Sequence, residues 1–339
     1  MAGGMPTLED VARLAGVSRA TASRILSADD QSRIPFAQDT RERVRQAAIM
    51  LDYKPNRQAR GLVSARTHIV GLLIPGMGES FSSSIVTVAQ RELAALGYGV
   101  LLANTDSDNV MEQASIDEFL SWRVDGLLIL PTQNTGDAEK LWLLWHKGIP
   151  FVLIDRLFAE TPFYSVTTDD YSGAVMAVEH LLSVGRRRIA FATRPATVST
   201  NRLRRAGYID TLARHGVAFD PELVLNVPPS SEGGRIAVRE LMQLSSPPDA
   251  LFCCTDLVAV GAMEECMALD IRIPEDLALV GYSDLDFCRV LRSPLTTVHQ
   301  PPALMAQCAA RMLAQLMKGE TPEVAQVKLP VSLVVRESA

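Results

Sequence analysis

Apolar residues recur at helical spacing close to the start of the chain, which predicts a short helix with one buried stripe. The stripe consists of Leu8, Val11, Ala12 and Ala15. Thr7 and Asp10 stand three residues apart, as in a capping box, and would begin this helix. Gly16 accepts left-handed backbone geometry and would end it.

A second short helix is predicted over residues 19–26, because Ser18 is a suitable N-cap soon after Gly16. Its inner face would carry Ala22, Ile25 and Leu26. Its outer face would carry Arg19, Ala20, Ser23 and Arg24. Two helices joined by a glycine-containing turn can place such an outer face in the major groove of DNA. A helical hairpin inside an ordinary core is the alternative.

A third amphipathic helix is predicted over residues 40–51, after a polar loop that ends in a proline. The residues that would pack against the first two helices are Val44, Ala47, Ala48 and Leu51. Pro55 then interrupts regular structure.

From residue 68 onward, short apolar runs alternate with amphipathic helices, the pattern of a parallel sheet covered on both faces. The predicted strands are 69–75, 99–104, 125–130, 150–154, 189–193, 223–227, 250–254 and 277–282. The predicted helices are 82–96, 110–121, 137–147, 170–184, 202–214, 233–244 and 256–269. Two successive doubly wound units imply an α/β body with two lobes and a cleft between them.

Charge is unevenly distributed along a chain whose net charge is -6. Residues 1–66 contain 11 Lys and Arg against 7 Asp and Glu, so this part carries +4 and leaves -10 for the remainder. A basic head on an acidic body fits a protein that holds a polyanion such as DNA at one end only.

Other classes of protein find little support in the sequence. The five cysteines form no C-x-x-C pair and the five histidines no metal-ligand spacing, so neither a metal nor a cofactor is predicted. Gly76 and Gly78 lack the third glycine of a dinucleotide motif, and no P-loop or nucleophile elbow occurs. Residues 1–6 lack the order of a secretory signal, and no apolar run reaches the ~18 residues of a membrane span, so a cytoplasmic protein is expected.

The early helices, the segment Y-K-P-N-R-Q-A-R-G-L at 53–62 and four later motifs together resemble the lactose-repressor (LacI/GalR) family of bacterial transcription regulators. The later motifs are V-E-H-L-L-S-V-G at 178–185, T-D-L-V-A-V-G-A at 255–262, I-P-E-D-L-A-L-V-G-Y at 273–282 and S-P-L-T-T-V-H-Q-P at 293–301. Because these motifs follow the family's order, the resemblance extends along the whole chain.

The resemblance implies three parts. They are an all-α helix-turn-helix headpiece at 1–54, a hinge helix with linker at 55–66, and at 67–339 an α/β two-lobed sensor domain like a type I periplasmic binding protein. In such a sensor the chain recrosses between the lobes near its end. The first lobe would hold about 67–165 and 302–324, and the second about 166–298 and 325–339.

By the same resemblance, two headpieces of a homodimer read the two halves of a pseudo-palindromic operator in double-stranded DNA. The residues expected on phosphates are Ser18, Thr21 and Ser23, and those expected on base edges are Arg19, Ala20 and Arg24. Thr7 belongs to the same predicted surface. The chain ends without a heptad tail, so a dimer rather than a tetramer is expected.

The hinge contributes Asn56, Ala59 and Leu62 to the predicted DNA-binding residues. Leu62 would insert between base pairs in the minor groove, and Ala59 would pack against the hinge of the second subunit. A helix this short is not stable alone, so we expect it to order only on DNA.

The resemblance also assigns residues to effector binding. They are Phe81, Asp155, Arg204, Thr255, Ser283 and Gln300. A carboxylate accepts hydrogen bonds from hydroxyls, a guanidinium donates to oxygens, and an aromatic face covers a sugar ring. A structural ion pair or a core aromatic is the alternative role for each.

Three positions depart from the family's common sugar-binding pattern. Ser283 stands where a carboxylate is frequent, Pro228 where some members place an aromatic, and Thr255 where an asparagine is frequent. Without a carboxylate at 283, an anionic ligand such as a sugar acid or a sugar phosphate becomes more tolerable beside Arg204.

The sequence therefore predicts a transcription regulator without enzymatic activity, a repressor, that binds DNA sequence-specifically. Its operator affinity would be controlled by a small-molecule effector, a sugar or sugar derivative, bound between two lobes. It would work in the bacterial cytoplasm, in association with the nucleoid. The competing classes are a two-lobed α/β enzyme and a ligand-binding protein with no role at DNA.

Replacing the predicted wedge, Leu62→Ala, should reduce both DNA bending and operator affinity while leaving effector affinity unchanged, because an alanine cannot unstack a base step. Gel mobility of circularly permuted operator fragments measures the bend. An unchanged bend would remove Leu62 from the reading surface.

Overall fold

The computed structural model describes residues 6–26, 36–54, 66–76, 80–132 and 138–339. The chain divides into two compact units, Met1–Thr67 and His68–Ala339. Within the described ranges, no helix has both the length and the apolar character needed to cross a membrane.

The first unit holds three helices, α1 (Leu8–Ala15), α2 (Arg19–Leu26) and α3 (Gln38–Met50). α1 begins as predicted, with a capping box in which the backbone amides of Thr7 and Asp10 each donate to the other's side chain. It ends at Gly16, whose φ of 67° is left-handed. α3 begins slightly before the predicted residue 40.

The three helices of the first unit enclose a small apolar core. Its buried members are Val11, Ala12, Ala15, Ala22, Ile25, Val44 and Ala47. The partly buried residues packed against them include Leu8, Leu26, Ala48 and Leu51. All the apolar positions predicted from helical spacing therefore lie in or against this core.

The second unit alternates strands and helices. Its strands are β1 (Ile69–Ile74), β2 (Gly99–Asn104), β3 (Gly126–Ile129), β4 (Phe151–Ile154), β5 (Ser165–Thr168), β6 (Ile189–Thr193), β7 (Val224–Asn226), β8 (Ala250–Cys253), β9 (Ala278–Ser283), β10 (Thr296–His299), β11 (Gln326–Leu329) and β12 (Ser332–Val334). Its helices are α4 (Ser80–Ala95), α5 (Asn109–Ser121), α6 (Glu139–His146), α7 (Asp170–Ser183), α8 (Ser199–Arg214), α9 (Ser231–Met242), α10 (Asp256–Ala268) and α11 (Pro302–Met317).

The strands form two sheets of six, one per lobe. The first has the order β11-β5-β4-β3-β1-β2 and the second the order β12-β10-β9-β8-β6-β7. Among the described strands, neighbours run parallel except β12, which is antiparallel to β10. Each strand and helix predicted for this unit is present, with ends shifted by a few residues.

The list of predicted strands lacks β11 and β12 near the end of the chain, and it also lacks β5 and β10. The last two, β5 and β10, lie in the interior of the sheets. Their sequences, S-V-T-T and T-T-V-H, lack the apolar run that marks the other strands, yet both are largely buried. Hydrogen bonds make the burial of β10 tolerable: the Thr297 hydroxyl donates to the Asp256 carboxylate at 2.5 Å, and the Thr296 hydroxyl accepts from the amide of Arg336 at 2.9 Å.

The division of the chain between the lobes was predicted wrongly at two points. β5 continues the first sheet beyond residue 165, and β11 pairs with β5 in the first sheet, although 325–339 was assigned to the second lobe. β11 supplies hydrogen-bond partners to what would otherwise be an exposed edge. The chain therefore crosses between sheets after β5, after β10 and again between β11 and β12.

The carboxyl ends of the parallel strands in both sheets face one cleft. α11 returns to the first lobe, as predicted, and packs against α4, β3, β4 and β5. In the second sheet the rings of Phe191 and Phe252 stack with centroids 4.8 Å apart, and Tyr282 lies beside them. These rigid sheets position the residues that line the cleft.

Candidate functional site

The outer face of α2 carries the side chains that the sequence predicts for DNA reading. Arg19, Ala20, Ser23 and Arg24 are exposed, whereas Ala22 and Ile25 are buried. α2 contains no acidic residue, so this face is positively charged. Such a face can donate to phosphates and to acceptor atoms on base edges.

Several of the predicted phosphate contacts also have local roles. The Ser18 hydroxyl accepts from the amide of Thr21 at 3.1 Å and lies 2.9 Å from the Thr21 hydroxyl, so it caps α2. The Thr7 hydroxyl donates to the Asp10 carboxylate at 2.6 Å, and this hydrogen bond holds the pKa of Asp10 below its ordinary value. These caps fix where the two helices begin.

Three predicted DNA-binding residues, Asn56, Ala59 and Leu62, lie outside the described residues. Their roles at the operator remain predictions.

A cavity of about 250 Å³ lies in the cleft of the second unit. We call it the effector pocket. All six residues predicted to bind an effector line it, namely Phe81, Asp155, Arg204, Thr255, Ser283 and Gln300. Asp155 and Gln300 directly follow strands, and Ser283 ends one. These strand ends are where open parallel sheets place their ligands.

Arg204 is held by the protein itself on the floor of the effector pocket. Its Nε and Nη2 lie 2.8 Å and 2.7 Å from Asp170 Oδ1, and its Nη1 donates to the carbonyl of Cys254 at 2.6 Å. The guanidinium carbon also lies 3.5 Å from the ring centre of Tyr282. Arg204 therefore forms a structural ion pair, which is the alternative role left open by the sequence. It also lines the pocket.

Burial dominates the electrostatics of this pair. It raises the pKa of Asp170 to about 6, against the opposing pull of Arg204. It also raises the pKa of Tyr282 well above its ordinary value. At neutral pH the Asp170 carboxyl is therefore mostly ionised and neutralises Arg204.

Asp155 and its neighbour form a second charged group at the end of β4. The Asp155 carboxylate lies 3.5 Å from Nε of Arg156, and Arg156 Nη1 donates to the carbonyls of Pro131 and Thr132 at 2.8 Å and 3.0 Å. Asp155 has a left-handed φ of 70°, which turns the chain sharply after the strand. The carboxylate is thereby fixed at the edge of the pocket.

Gln300 joins the two lobes beside the pocket. Its amide nitrogen donates to the Thr168 hydroxyl at 3.0 Å, and its amide oxygen accepts from the Ser283 hydroxyl at 3.2 Å. Ser283 has an unusual φ of 128° at the end of β9. Thr168 ends the first sheet's β5, so one side chain spans the crossover.

Thr255 has a structural reason to be a hydroxyl residue. It caps α10 by accepting from the amide of Val258 at 3.3 Å. The following Asp256 accepts hydrogen bonds from Thr297 and from the amide of Leu285, and burial raises its pKa. Asp256 thus anchors the loop after β9 rather than entering the pocket lining.

Sequence reasoning missed other residues that line the pocket. They include Ser107, Arg156, Arg194, Thr200, Asn201 and Pro229. Arg194 follows β6 directly, so the rule that ligands sit at strand ends could have found it. Thr200 and Asn201 lie in the first turn of α8, which begins earlier than the predicted residue 202. Pro229, and not the adjacent Pro228, lies in the lining.

Comparisons with known proteins agree along the full length of the chain. Residues 7–56 match the model for bacterial regulatory proteins of the lacI family, and residues 178–339 match a periplasmic binding protein-like domain. The chain is 34% identical to the transcriptional regulator CelR of Thermobifida fusca, over 98% of each chain. It is 30% identical to the ribose operon repressor of Escherichia coli, covering 99% of this chain and 100% of the repressor.

Solved structures give the same picture. A Lac repressor dimer bound to operator and the anti-inducer ONPF matches with a TM-score of 0.88 and 28% identity, over 99% of both chains. A complex of CelR with cellobiose matches with a TM-score of 0.74 and 33% identity, over 98% of this chain and 100% of that one.

The raised pKa of Asp170 predicts a definite effect of pH on stability. The folded chain holds this proton more tightly than the unfolded chain, so the stability that it contributes is present below about pH 4 and lost as the pH rises through 6. The loss amounts to about 3 kcal/mol. The side chain of Asp170→Asn does not titrate. The free energy of unfolding of this variant should therefore increase relative to that of the parent as the pH rises.

Urea denaturation between about pH 4.5 and 7.5 measures the difference. Glu160→Gln, which removes an exposed carboxyl by the same change of residue type, is the control. The opposite slope for Asp170→Asn would mean that attraction to Arg204 outweighs burial.

Proposed function

The chain belongs to the lacI family of bacterial regulatory proteins. From this premise we propose that it is a repressor whose affinity for DNA is controlled by a small polyhydroxylated effector. As a family member it is a sequence-specific, DNA-binding regulator of transcription and not an enzyme. The repressor role, the effector, the dimeric state and an association with the nucleoid are the proposal.

The observation that carries the effector proposal is the convergence of six side chains on one cavity. Phe81, Asp155, Arg204, Thr255, Ser283 and Gln300 come from both sheets and meet in the effector pocket. The relatives include ribose operon repressors and a regulator solved with cellobiose, which supports a sugar or a sugar derivative for this chain. Hydroxyl, amide and charged groups around one aromatic ring suit such a ligand.

An apolar groove on the second lobe supports a dimer. Val260, Met263 and Met267 lie on one face of α10 and line the groove together with Leu291. The adjacent Val290 is 76% exposed and Met267 is 63% exposed. Exposed apolar surface of this kind marks an interaction site, and a second copy of the chain would bring two headpieces to the two half-sites.

Control of DNA affinity would follow from linkage between the lobes. Besides Gln300, a hydrogen bond of 3.2 Å from the amide of Leu157 to the Ser199 hydroxyl joins the first lobe to α8. An effector that binds one arrangement of the lobes better than the other shifts the equilibrium toward it. In a dimer the shift changes the separation of the two hinge segments, and with it the fit to the operator.

The proposal is tested by selecting bound duplexes from a random DNA pool with the purified protein, near physiological salt, with and without added sugars. A pseudo-palindromic consensus is expected. Arg24→Ala should weaken binding to that consensus by ~1 to 3 kcal/mol and relax the preference at one base pair, because arginine recognises guanine through two hydrogen bonds.

The matched control for Arg24→Ala is Arg45→Ala, which removes the same charge from an exposed position on α3. It should alter salt dependence at most and leave the consensus intact. If no sequence is enriched with or without sugars, the operator-binding function fails. If Arg24→Ala selects the parent's consensus with the parent's affinity, α2 does not read the site through this residue.

The dimer is tested by Val290→Asp, which would place a charge on the exposed apolar surface beside the groove. Sedimentation velocity should show a dimer for the parent and a monomer for the variant, because burying an unpaired carboxylate in an interface is costly. Leu143→Asp, at an apolar residue of α6 that is 41% exposed and outside the groove, should leave the dimer intact. A dimeric Val290→Asp variant would place the interface elsewhere.

A further inference from the structure

Arg194 differs from the other arginines that line the effector pocket. It follows β6 directly and is half-buried. Its carbonyl accepts a hydrogen bond from the Thr193 hydroxyl, but its guanidinium makes no hydrogen bond or ion pair with any residue that the structure describes. A half-buried cation in a ligand pocket has a strong reason to bind an anion, because its lost hydration is otherwise not replaced.

The charges of the pocket do not balance without a ligand. Asp155 carries the only carboxylate in the described lining, and it faces Arg156 at 3.5 Å. Arg204 is neutralised by the buried carboxylate of Asp170 behind it. The remaining charge is one positive unit, on Arg194.

The described lining that the second lobe contributes carries no carboxylate that would repel an anion beside Arg194. The lobe's other polar contributions to the lining are hydroxyls and amides, among them Thr255, Ser283 and Asn201. Ser283 is engaged with Gln300, and the hydroxyl of Thr255 caps α10. With Ser283 and Thr255 at these positions, this side of the described lining presents hydroxyls and no carboxylate.

The strand order gives the pocket two different ends. Asp155 follows β4, the third strand from the β11 edge of the first sheet, and Gln300 follows β10, the second strand from the β12 edge of the second sheet. These are the edges at which the chain crosses between the lobes. β6, which precedes Arg194, lies on the far side of the second sheet, next to the edge strand β7. Asp155 and Gln300 therefore stand toward the crossover end of the pocket, and the uncompensated charge of Arg194 stands toward the outer end.

We propose that the effector is a sugar derivative of monosaccharide size that carries one carboxylate or phosphate group, bound by Arg194 at the outer end of the pocket. Its hydroxyl groups lie toward Asp155 and Gln300. The cavity of about 250 Å³ falls below the roughly 300 Å³ at which pockets for larger ligands begin, which favours one ring over two. This inference rests on the proposed function, because it defines the ligand of the same pocket.

The test compares neutral and anionic forms of the same sugars on the full-length protein. The probes are D-ribose, D-glucose and D-galactose, together with the aldonic acid and the terminal phosphate ester of each. Thermal unfolding identifies the probes that stabilise the protein, and isothermal titration gives their dissociation constants. The acid and ester forms separate a preference for carboxylate from one for phosphate.

Three variants show whether Arg194 is the anion's partner. Arg194→Gln should weaken the anionic ligand by about 10-fold to 100-fold, the usual range for losing a charge-assisted hydrogen bond, and leave the neutral parent sugar unchanged. Arg194→Lys should recover part of the affinity, since it keeps the charge without the planar fork. Arg202→Gln removes an exposed arginine of α8 outside the lining and should bind like the parent.

The outcomes distinguish a failure of this inference from a failure of the proposed function. Saturable binding of a neutral sugar with no gain from an acid or phosphate group would overturn the anionic effector and leave the sugar-responsive regulator standing. Binding of an anionic probe that Arg194→Gln leaves unchanged would overturn the role of Arg194. No binding of any probe would count against the effector pocket itself, and the DNA selection would still decide whether the chain is a regulator.

Discussion

The buried pair of Asp170 and Arg204 holds the sensor together around its pocket. Asp170 begins α7, the first helix after the chain leaves the first sheet, and Arg204 belongs to α8. The same guanidinium binds the end of β8 through Cys254 and covers the ring of Tyr282 from β9. One side chain thus ties two helices and two strand ends to a single point. Because a buried charge without its partner is costly, these four elements are fixed relative to one another.

This arrangement has a direct bearing on ligand recognition. An arginine that is already paired presents a rigid set of donors, so a ligand does not have to pay for ordering it. Asp155 is similarly fixed, through Arg156 and the carbonyls of Pro131 and Thr132. Gln300 is held from both lobes by Thr168 and Ser283. The pocket therefore has preorganised walls, and Arg194 is the charged side chain of the described lining whose position is left to the ligand.

Local signals in the sequence were sufficient for most of the fold and insufficient for parts of the site. The capping box at Thr7, the left-handed Gly16 and the apolar stripes depend on neighbouring residues, and all are found as predicted. β5 and β10 were missed because neither has an apolar run, and the burial of β10 depends on hydroxyl hydrogen bonds to distant partners such as Asp256. The ion pair of Arg204 joins residues 34 positions apart, and no periodicity announces it. Resemblance located the six lining residues, but their hydrogen-bond partners required the structure.

The third crossing of the chain also bears on how the protein is made. The first lobe is completed only when α11 packs against its sheet and β11 pairs with β5. In the second sheet, the amide of Leu279 donates to the carbonyl of Ser338, close to the end of the chain. Neither lobe can complete its fold until nearly the whole chain has left the ribosome. The headpiece, whose core lies within its own three helices, faces no such delay. During synthesis a DNA-reading head can thus fold well before the body that regulates it, and a message cut short near its end would yield that head without a working sensor.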